Sequence, residues 1–295
     1  MQLINIQSEP ISYLLTTGQK RQGLLITLTT DQGIRAQAEA SPLPNWSQET
    51  LEQVMNQLET IQMRLLSTNW KMSALYDNLL SLKLAPSLAF ALESALLELI
   101  DPLTPVEANV SALLMGTEQE ICQQASLRAK EGYFSAKLKV SNLSLTAAKK
   151  IIDELMDTFR LRIDVNRAWT THQALSFFER YPQDAFDYVE EPFQDPTQLN
   201  QFSHPLAVDE SYPSLLNLQE LEQIPALTTL VYKPSLQGGI AQCHSLQQWA
   251  QSRNLTLVLS SAFESPLGLH QIRAMAQRMK ITTPLGLGTL HFLQK

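Results

Sequence analysis

The sequence has 295 residues, of which 44% are hydrophobic and 17% are charged, and its formal net charge at pH 7 is −7. A chain of this length can bury a large core, either as one large domain or as two domains of unequal size. The negative charge, without any run of Lys or Arg, argues against a nucleic-acid partner, because such partners are bound by basic surfaces. The composition therefore indicates an ordinary globular protein.

Three further classes of protein are disfavoured by the sequence. No apolar stretch reaches the roughly 18 residues that would span a bilayer, and the N-terminus lacks the basic and apolar regions of a signal peptide. We therefore expect a cytoplasmic protein with no membrane partner. Only two cysteines occur, Cys122 and Cys243, which is too few for a disulfide framework and typical of small buried thiols.

The first part of the chain combines a strand with two helices. GLLITLTTD predicts a strand. Residues 47–65 carry apolar side chains at helical spacing behind Ser47, and residues 86–100 form a more apolar helical pattern that opens with a proline. The two prolines of DPLTPVEA mark a boundary. We predict an α+β domain over residues 1–104 and a second domain over residues 105–295 that includes a C-terminal tail.

The second part alternates strand candidates with segments of helix length. Eight strands are predicted, the last of them weak: ANVSALL, FSAKLKV, RLRIDV, FDYVE, PLAVDE, TTLVYK, LTLVLSS and PLGLG. Intervening segments such as SLTAAKKIIDELMDTF are amphipathic, as expected for helices. Doubly wound sheets usually carry a glycine-rich first turn, and no G-x-G-x-x-G is present. The prediction is an α/β fold of the TIM (β/α) barrel type.

Charged residues stand at or near the ends of five of these strands. They are Lys137, Lys139, Asp164, Glu190, Asp209 and Lys233. Because the carboxyl ends of barrel strands meet at one mouth, the three acids should converge there. Hard oxygen ligands without His or Cys favour Mg²⁺, with Mn²⁺ as a second possibility, over zinc. The pattern predicts a metal site, whereas each acid alone would be read as a helix cap or a loop charge.

The K-x-K pair in the second strand has two interpretations, of which a solvated edge strand is favoured when the pair is considered alone and a catalytic base is the other. Lys137 and Lys139 share one face of a strand, since the side-chain period is two. At a separation of roughly 6 Å and an effective dielectric near 20, their repulsion is about 3 kcal/mol. One of the two lysines could then be neutral near physiological pH. The alternative is a pair of lysines on a solvated edge strand. The five histidines fall mostly in predicted helices or turns, so a histidine base is not expected.

These motifs resemble the enolase superfamily, in the subgroup that uses two lysines, which is similar to muconate-lactonizing enzymes. The resemblance covers nearly the whole chain. Its segments are AEASPLPNWSQET, PSLAFALESALLEL, AKLKV, LRIDVNRAWT, VEEP, AVDES, VYKPSLQGG and LSSAFESPLGL. It implies a modified TIM barrel with an N-terminal α+β capping domain, whose loops around residues 18–21 and 44–46 would close over the substrate. The sequence departs from the family at Gly288, where an acidic residue is expected.

The resemblance also implies roles for individual residues. The Mg²⁺ ligands would be Asp164, Glu190 and Asp209. Lys139 would be the catalytic acid and base, Lys137 would tune it, and Lys233 would stabilise an enediolate as a cation. The remaining implied residues would contact the substrate or support the site: Arg162, Asn166, Gly238, Gly239, Ser260 and Ser261.

Two motifs, SPLP-x-x-SQET and RIDVNRAW, narrow the implied activity. They are typical of a carbon–oxygen lyase of menaquinone biosynthesis that dehydrates 2-succinyl-6-hydroxy-2,4-cyclohexadiene-1-carboxylate to o-succinylbenzoate through a Mg²⁺-stabilised enediolate. One alternative is an N-acylamino acid racemase or dipeptide epimerase on the same scaffold. A barrel that binds a small carboxylate without catalysis is the other. A small-molecule carboxylate is the expected partner, and a monomer is the expected state.

Overall fold

The computed structural model describes residues 1–294, and within them no helix is long and apolar enough to cross a membrane. The N-terminal region is an antiparallel sheet in the order β1-β2-β3, followed by three helices. The elements are β1 (Leu3–Leu14), β2 (Lys20–Thr30), β3 (Arg35–Ala40), α1 (Leu51–Ser67), α2 (Leu75–Ser81) and α3 (Pro86–Ile100), with a 3-10 turn at Met72–Ala74.

The first helix begins later than the sequence suggested. Thr50, and not Ser47, is its N-cap: the Thr50 side chain accepts a hydrogen bond from Gln53 N, and the Gln53 side chain reaches back to Thr50 N. Ser47 instead accepts from Leu43 N at 2.8 Å, which fixes the preceding loop. The α3 helix has the predicted bounds and is buried along most of its length against β2 and β3.

The second region is a seven-stranded parallel sheet curled into a barrel, with helices between its strands. The strands follow one another in chain order, each pairing with the next. They are β4 (Ala112–Leu114), β5 (Ser135–Lys139), β6 (Arg160–Asp164), β7 (Tyr188–Glu190), β8 (Leu206–Val208), β9 (Leu227–Tyr232) and β10 (Thr256–Leu259). The helices are α4 (Glu118–Lys130), α5 (Leu145–Leu155), α6 (Thr171–Phe178), α7 (Leu218–Leu221), α8 (Pro234–Gln237), α9 (Ile240–Ser252) and α10 (Pro266–Arg278), with 3-10 turns at Pro196–Gln201 and Gly288–Phe292.

The eighth predicted strand is reduced to two bridging residues. Leu285 makes a parallel bridge with Val110, just before β4, and Gly286 makes one with Ser260, just after β10. Each side is held by backbone hydrogen bonds, such as Ser111 N to the Leu285 carbonyl at 2.9 Å. The short PLGLG segment thus fills the eighth position without forming a strand. Residue 295, the last of the predicted second domain, lies outside the described residues.

The inside of the barrel is layered. Tyr188, Ala207, Val231 and Val258 form a separate buried apolar cluster, with one residue from each of β7 to β10. Since side chains alternate between the two faces of a strand, the residues two positions later also point inward, one layer closer to the carboxyl ends. This apolar layer is therefore the floor beneath the charged residues at the mouth.

Candidate active site

Strand register brings the charged residues together. Lys139 lies opposite Asp164, and Asp164 lies opposite Glu190, in adjacent parallel strands. Asp209 and Lys233 directly follow β8 and β9, which continue the same sheet. The structure therefore collects all six charged residues of the sequence pattern at the carboxyl ends of β5 to β9.

The six groups interlock as ion pairs. The ammonium of Lys137 lies 2.9 Å from Asp164 Oδ2 and 2.7 Å from Glu190 Oε1. Lys139 lies 3.4 Å from Asp164 Oδ2 and donates a hydrogen bond of 2.8 Å to Asn166 Oδ1. The ammonium of Lys233 pairs with Asp209. Each lysine is thus oriented by at least one carboxylate, although Lys139 remains the most exposed of the three, with 27% of its side chain accessible.

These contacts raise the pKa of two of the three lysines. Burial disfavours the ammonium of Lys137, but the charges of Asp164 and Glu190 outweigh burial and raise its pKa well above the usual value. Burial acts in the same way on Lys233, and Asp209 reverses it, so that its pKa is also raised. Carboxylates of neighbouring strands therefore favour the ammonium form of Lys137 and of Lys233 in this conformation.

The carboxylates differ among themselves. Burial opposes the charge of Asp164, yet Lys137 and Lys139 together hold its pKa well below the usual range. Burial raises the pKa of Glu190 to about 8, assisted by the neighbouring charges of Asp164 and Asp209 and opposed by Lys137. The lysine charges thus outweigh burial at Asp164, whereas burial prevails at Glu190.

The chemistry of Asp164, Glu190 and Asp209 fits a hard divalent cation, but the arrangement of their side chains does not. Glu190 Oε2 is buried without a hydrogen-bond partner, as expected of an oxygen that awaits a cation. Asp164 and Asp209 supply further hard oxygens of the kind that Mg²⁺ prefers. In the conformation described for residues 1–294, however, no three acidic, His or Cys side chains are arranged to hold a metal. Lysine ammonium groups lie against Asp164, Glu190 and Asp209, so these acids would exchange lysine contacts for metal contacts if they held a cation.

A cavity of about 140 Å³ opens beside these groups. All three lysines and Asn166 line it, together with Ser260 and Ser261. The Ser261 hydroxyl lies 2.7 Å from that of Thr289, and both serines can donate to the Gly286 carbonyl. The structure places the two predicted serines where they can contact a bound ligand.

The N-terminal region supplies the opposite wall. Gln19, Leu43 and Trp46 line the cavity, and the ammonium of Lys233 lies 5.7 Å from the centre of the Trp46 ring. These residues belong to the two loops that the family resemblance indicated. The N-terminal region therefore limits the space that a ligand can occupy next to Lys233.

Two of the implied contacts are wrong because internal partners use the donors concerned. Gly238 and Gly239 do not line the cavity: Gly238 N donates to the Pro234 carbonyl and Gly239 N to Gln242 Oε1. Glu93, from α3, receives the next two amides, at the start of α9. No donor of this turn is left for a substrate carboxylate.

Arg162 does not line the cavity and cannot contact a substrate there. It points inward but belongs to the floor layer, with its guanidinium over the Tyr188 ring at 5.2 Å. It donates to the Pro284 carbonyl at 2.8 Å and pairs with Asp187 at 3.4 Å. Arg162 therefore anchors the segment that fills the eighth barrel position, a loop-orienting role, and does not reach the cavity.

One functional neighbour was missed by sequence reasoning. Glu191 is fully buried, and its carboxylate accepts hydrogen bonds from Asp209 N, Ser211 N and the Ser211 hydroxyl. It thereby fixes the backbone that carries Asp209. The two adjacent acids of the VEEP motif could have indicated this role. Glu190 was chosen as the candidate metal ligand, and Glu191 was given no role.

The presence of glycine at position 288, where the family pattern has an acidic residue, has a steric explanation. A Cβ atom at this position would lie 2.5 Å from Leu113 N and 2.8 Å from the Ser111 carbonyl oxygen. The segment after the eighth position therefore passes too close to β4 for any side chain. The acidic residue expected from the family pattern cannot be accommodated in this backbone.

Comparisons with known proteins agree with this fold. Residues 120–285 match the family described as enolase C-terminal domain-like, and residues 14–99 match the family described as MenC, N-terminal domain. The L-Ala-D/L-Glu epimerase from Bacillus subtilis superimposes over all of this chain and 92% of its own, with a TM-score of 0.85 and 17% identity. The chain belongs to the enolase superfamily.

A sequence relative defines the branch, and a solved structure shares the fold. The o-succinylbenzoate synthase of Pasteurella multocida (strain Pm70) is 32% identical, with 93% of this chain and 83% of that protein covered. The Mg-complexed o-succinylbenzoate synthase from Thermosynechococcus elongatus BP-1 has a TM-score of 0.73 at 22% identity, covering 99% of this chain and 95% of that one. Within the superfamily, this chain belongs to the o-succinylbenzoate synthase family.

Proposed function

We propose that this chain is a Mg²⁺-dependent lyase that dehydrates 2-succinyl-6-hydroxy-2,4-cyclohexadiene-1-carboxylate to o-succinylbenzoate. The observation that carries the proposal is that the three lysines differ in their carboxylate partners and in their exposure. Lys137 and Lys233 each lie within 3 Å of a carboxylate, whereas the more exposed Lys139 faces the cavity, donates to Asn166 and lies farther, at 3.4 Å, from Asp164. Family membership supports the same reaction, because the curated relatives are named for its product.

In this reaction Lys139 takes the proton from the carbon that bears the ring carboxylate. The electron pair left behind moves into the ring as the C–O bond to the hydroxyl breaks. Lys139 then returns the proton to the departing hydroxyl, which leaves as water. The Asn166 side chain orients the ammonium during the interval in which Lys139 carries the extra proton.

The remaining charged residues stabilise the negative charge that develops on the substrate. Lys233, kept cationic by Asp209, faces the cavity and can offset part of that charge. Asp164, Glu190 and Asp209 would hold the metal ion. When bound, Mg²⁺ would supply the larger share of positive charge at the substrate carboxylate.

The epimerase alternative needs a base on each face of the reacting carbon. Lys139 and Lys233 both line the cavity, so the two reactions are separated by measured activity. Several structural relatives are epimerases, but at under 25% identity they share the fold alone.

The test is a direct assay of the purified protein with Mg²⁺. Conversion of the cyclohexadiene substrate to its aromatic product is followed by absorbance, and α-proton exchange in an N-succinylamino acid and in a dipeptide is measured alongside. We expect dehydration to dominate and Lys139→Ala to lose at least about 10²-fold in kcat, the usual contribution of a general acid or base. Exchange without dehydration would favour the epimerase, and no turnover of any substrate would favour a binding protein.

A further inference from the structure

A single buried guanidinium ties the N-terminal region to the loop after β10. Arg21, at the start of β2, has no accessible surface. Its Nη1 donates to the Pro42 carbonyl at 2.6 Å, its Nη2 to the Ser41 carbonyl at 2.8 Å and its Nε to the Phe263 carbonyl at 3.4 Å. Among the described residues it forms no ion pair within 4.0 Å. Its buried charge is therefore committed to three backbone carbonyls.

The three segments joined by Arg21 are walls of the same cavity. Gln19 stands two residues before it, Leu43 follows the Pro42 carbonyl, and Phe263 itself supplies the third acceptor; all three line the cavity. The segments come from the turn between β1 and β2, the loop before α1 and the loop after β10. One side chain thus sets the relative position of walls that lie far apart in the sequence.

Of these cavity-lining residues, Phe263 has the strained backbone. Its φ angle of 61° lies in the left-handed region, which is unusual for a bulky residue and costs on the order of 1–3 kcal/mol. Its carbonyl oxygen accepts from Arg21 and lies 2.9 Å from the Tyr13 hydroxyl, which can also donate to Glu39. Its ring meets Phe292 edge to face, with centroids 6.4 Å apart. Donors from the N-terminal sheet therefore hold the strained backbone that aims this ring.

The neighbouring residues reinforce the same junction. Glu39, on β3, accepts hydrogen bonds from the backbone and hydroxyl of Ser265, two residues after Phe263. Glu264 accepts from Ala262 N at 2.8 Å and from the Ser235 hydroxyl, close to Lys233. The loop is thus held on both sides of Phe263, and among residues 1–294 the side chains that donate to the Phe263 carbonyl are those of Arg21 and Tyr13.

We propose that Arg21, assisted by Tyr13, is a positioning residue that sets Phe263 as the apolar wall against which the nonreacting part of the substrate packs. The inference rests on the proposed function, because it assigns that wall to the same cavity. Arg21 contacts neither the lysines nor the carboxylates. Its loss should therefore weaken substrate binding more than the chemical step, which raises KM and leaves kcat nearly unchanged.

The kinetic test compares Arg21→Met with Arg278→Met. Arg278 also joins the two regions, from α10 to the Leu97 carbonyl and to Asp101, but it does not line the cavity. We expect Arg21→Met to raise KM at least about tenfold, which corresponds to about 1.4 kcal/mol, with kcat within about threefold of the wild type. Arg278→Met should leave KM unchanged. Equal KM values in the two variants would overturn the proposal.

Two smaller changes refine the result. Arg21→Lys keeps the charge but offers one donor group in place of a planar fork, so its KM should fall between those of the wild type and Arg21→Met. Tyr13→Phe removes a single hydroxyl without creating a large cavity, and we expect KM to rise by about threefold, the effect of one modest hydrogen bond. If Arg21→Met does not fold, Tyr13→Phe decides the matter, and an unchanged KM in that variant refutes the positioning role.

A second readout does not depend on activity. Amide hydrogen exchange over residues 260–265 is measured in the substrate-free protein, where Ser260 N and Ser261 N are protected by backbone bonds to Tyr232 and Gly286. Exchange should accelerate in Arg21→Met and stay at the wild-type rate in Arg278→Met. Unchanged exchange in Arg21→Met would overturn the proposal even if the wild type dehydrates the substrate. Accelerated exchange would support it even if the assignment of the reaction failed.

Discussion

The carboxylate of Glu93 makes the stability of the protein depend on pH. Glu93 lies on α3, only 3% exposed, and accepts hydrogen bonds from Ile240 N and from Ala241 N at 2.9 Å, the first amides of α9. Burial raises its pKa from 4.5 to about 7, against the opposing effects of the two amides and of Arg278. The residue is therefore a buried link between the N-terminal region and a barrel helix, and its protonation favours the folded state.

The sign and size of the effect follow from linkage. Between the unfolded pKa of 4.5 and the folded pKa of about 7, the folded state binds more protons than the unfolded state, so stability falls as pH rises. Above about pH 8 this contribution changes little further. The rise in the pKa corresponds to about 3 kcal/mol in total, most of which is lost between pH 5 and pH 8.

Glu93→Gln removes the titration while keeping the shape of the protonated acid. We expect the free energy of unfolding of the wild type, relative to that of Glu93→Gln, to fall by about 2–3 kcal/mol from pH 5 to pH 8. Urea unfolding at the two pH values measures it. The control is Glu98→Gln, the same change at an exposed position of the same helix, which should leave the difference near zero. A Glu93→Gln difference that stays constant with pH, or that grows in the opposite direction, refutes the reasoning.

Three further predictions concern the mouth of the barrel. Asp209→Asn should abolish dehydration and weaken Mg²⁺ binding measured by calorimetry while the circular dichroism spectrum is kept; full turnover after exhaustive chelation would contradict the metal assignment. Lys233→Arg keeps a permanent charge, so it should retain more dehydration than Lys233→Ala, and equal rates in the two variants would leave the electrostatic role unsupported. Gly288→Ala should lower the free energy of unfolding by about 1–3 kcal/mol through overpacking against β4, and a thermal midpoint equal to that of the wild type would argue against the close approach.

Local patterns predicted the elements that place the site. Short aliphatic runs ending in one charge became β5 to β9, and the inward alternation of a strand then fixed which side chains meet. Proline at the start of α3 and apolar residues along it gave its bounds. The edge strand β1 was not predicted, because many of its residues are exposed and it lacks a regular alternation of buried and exposed positions.

Partners far away in the sequence account for what prediction missed. The start of α9 looked free to bind a carboxylate, but Glu93, some 147 residues earlier, occupies it. Arg21 meets Phe263 at a separation of 242 residues. The charge of Lys137 depends on carboxylates from two other strands. Local sequence patterns do not indicate such long-range contacts. The strand ends were therefore predictable from the sequence, whereas the protonation states of the site residues were not.

The bridges at Leu285 and Gly286 have a consequence for the protection of the sheet edges. They connect β4 and β10, the two edges of the parallel sheet. The end of β1 depends on the same late segment, because Leu15 bridges to Leu293 and Gln294 N donates to the Leu14 carbonyl. Without the segment around Leu285 and Gly286, both edges of the parallel sheet would stay unpaired, and unpaired strand edges can pair with other chains. A chain truncated shortly before residue 285 should therefore associate more readily and be sensitive to protease at β4 and β10.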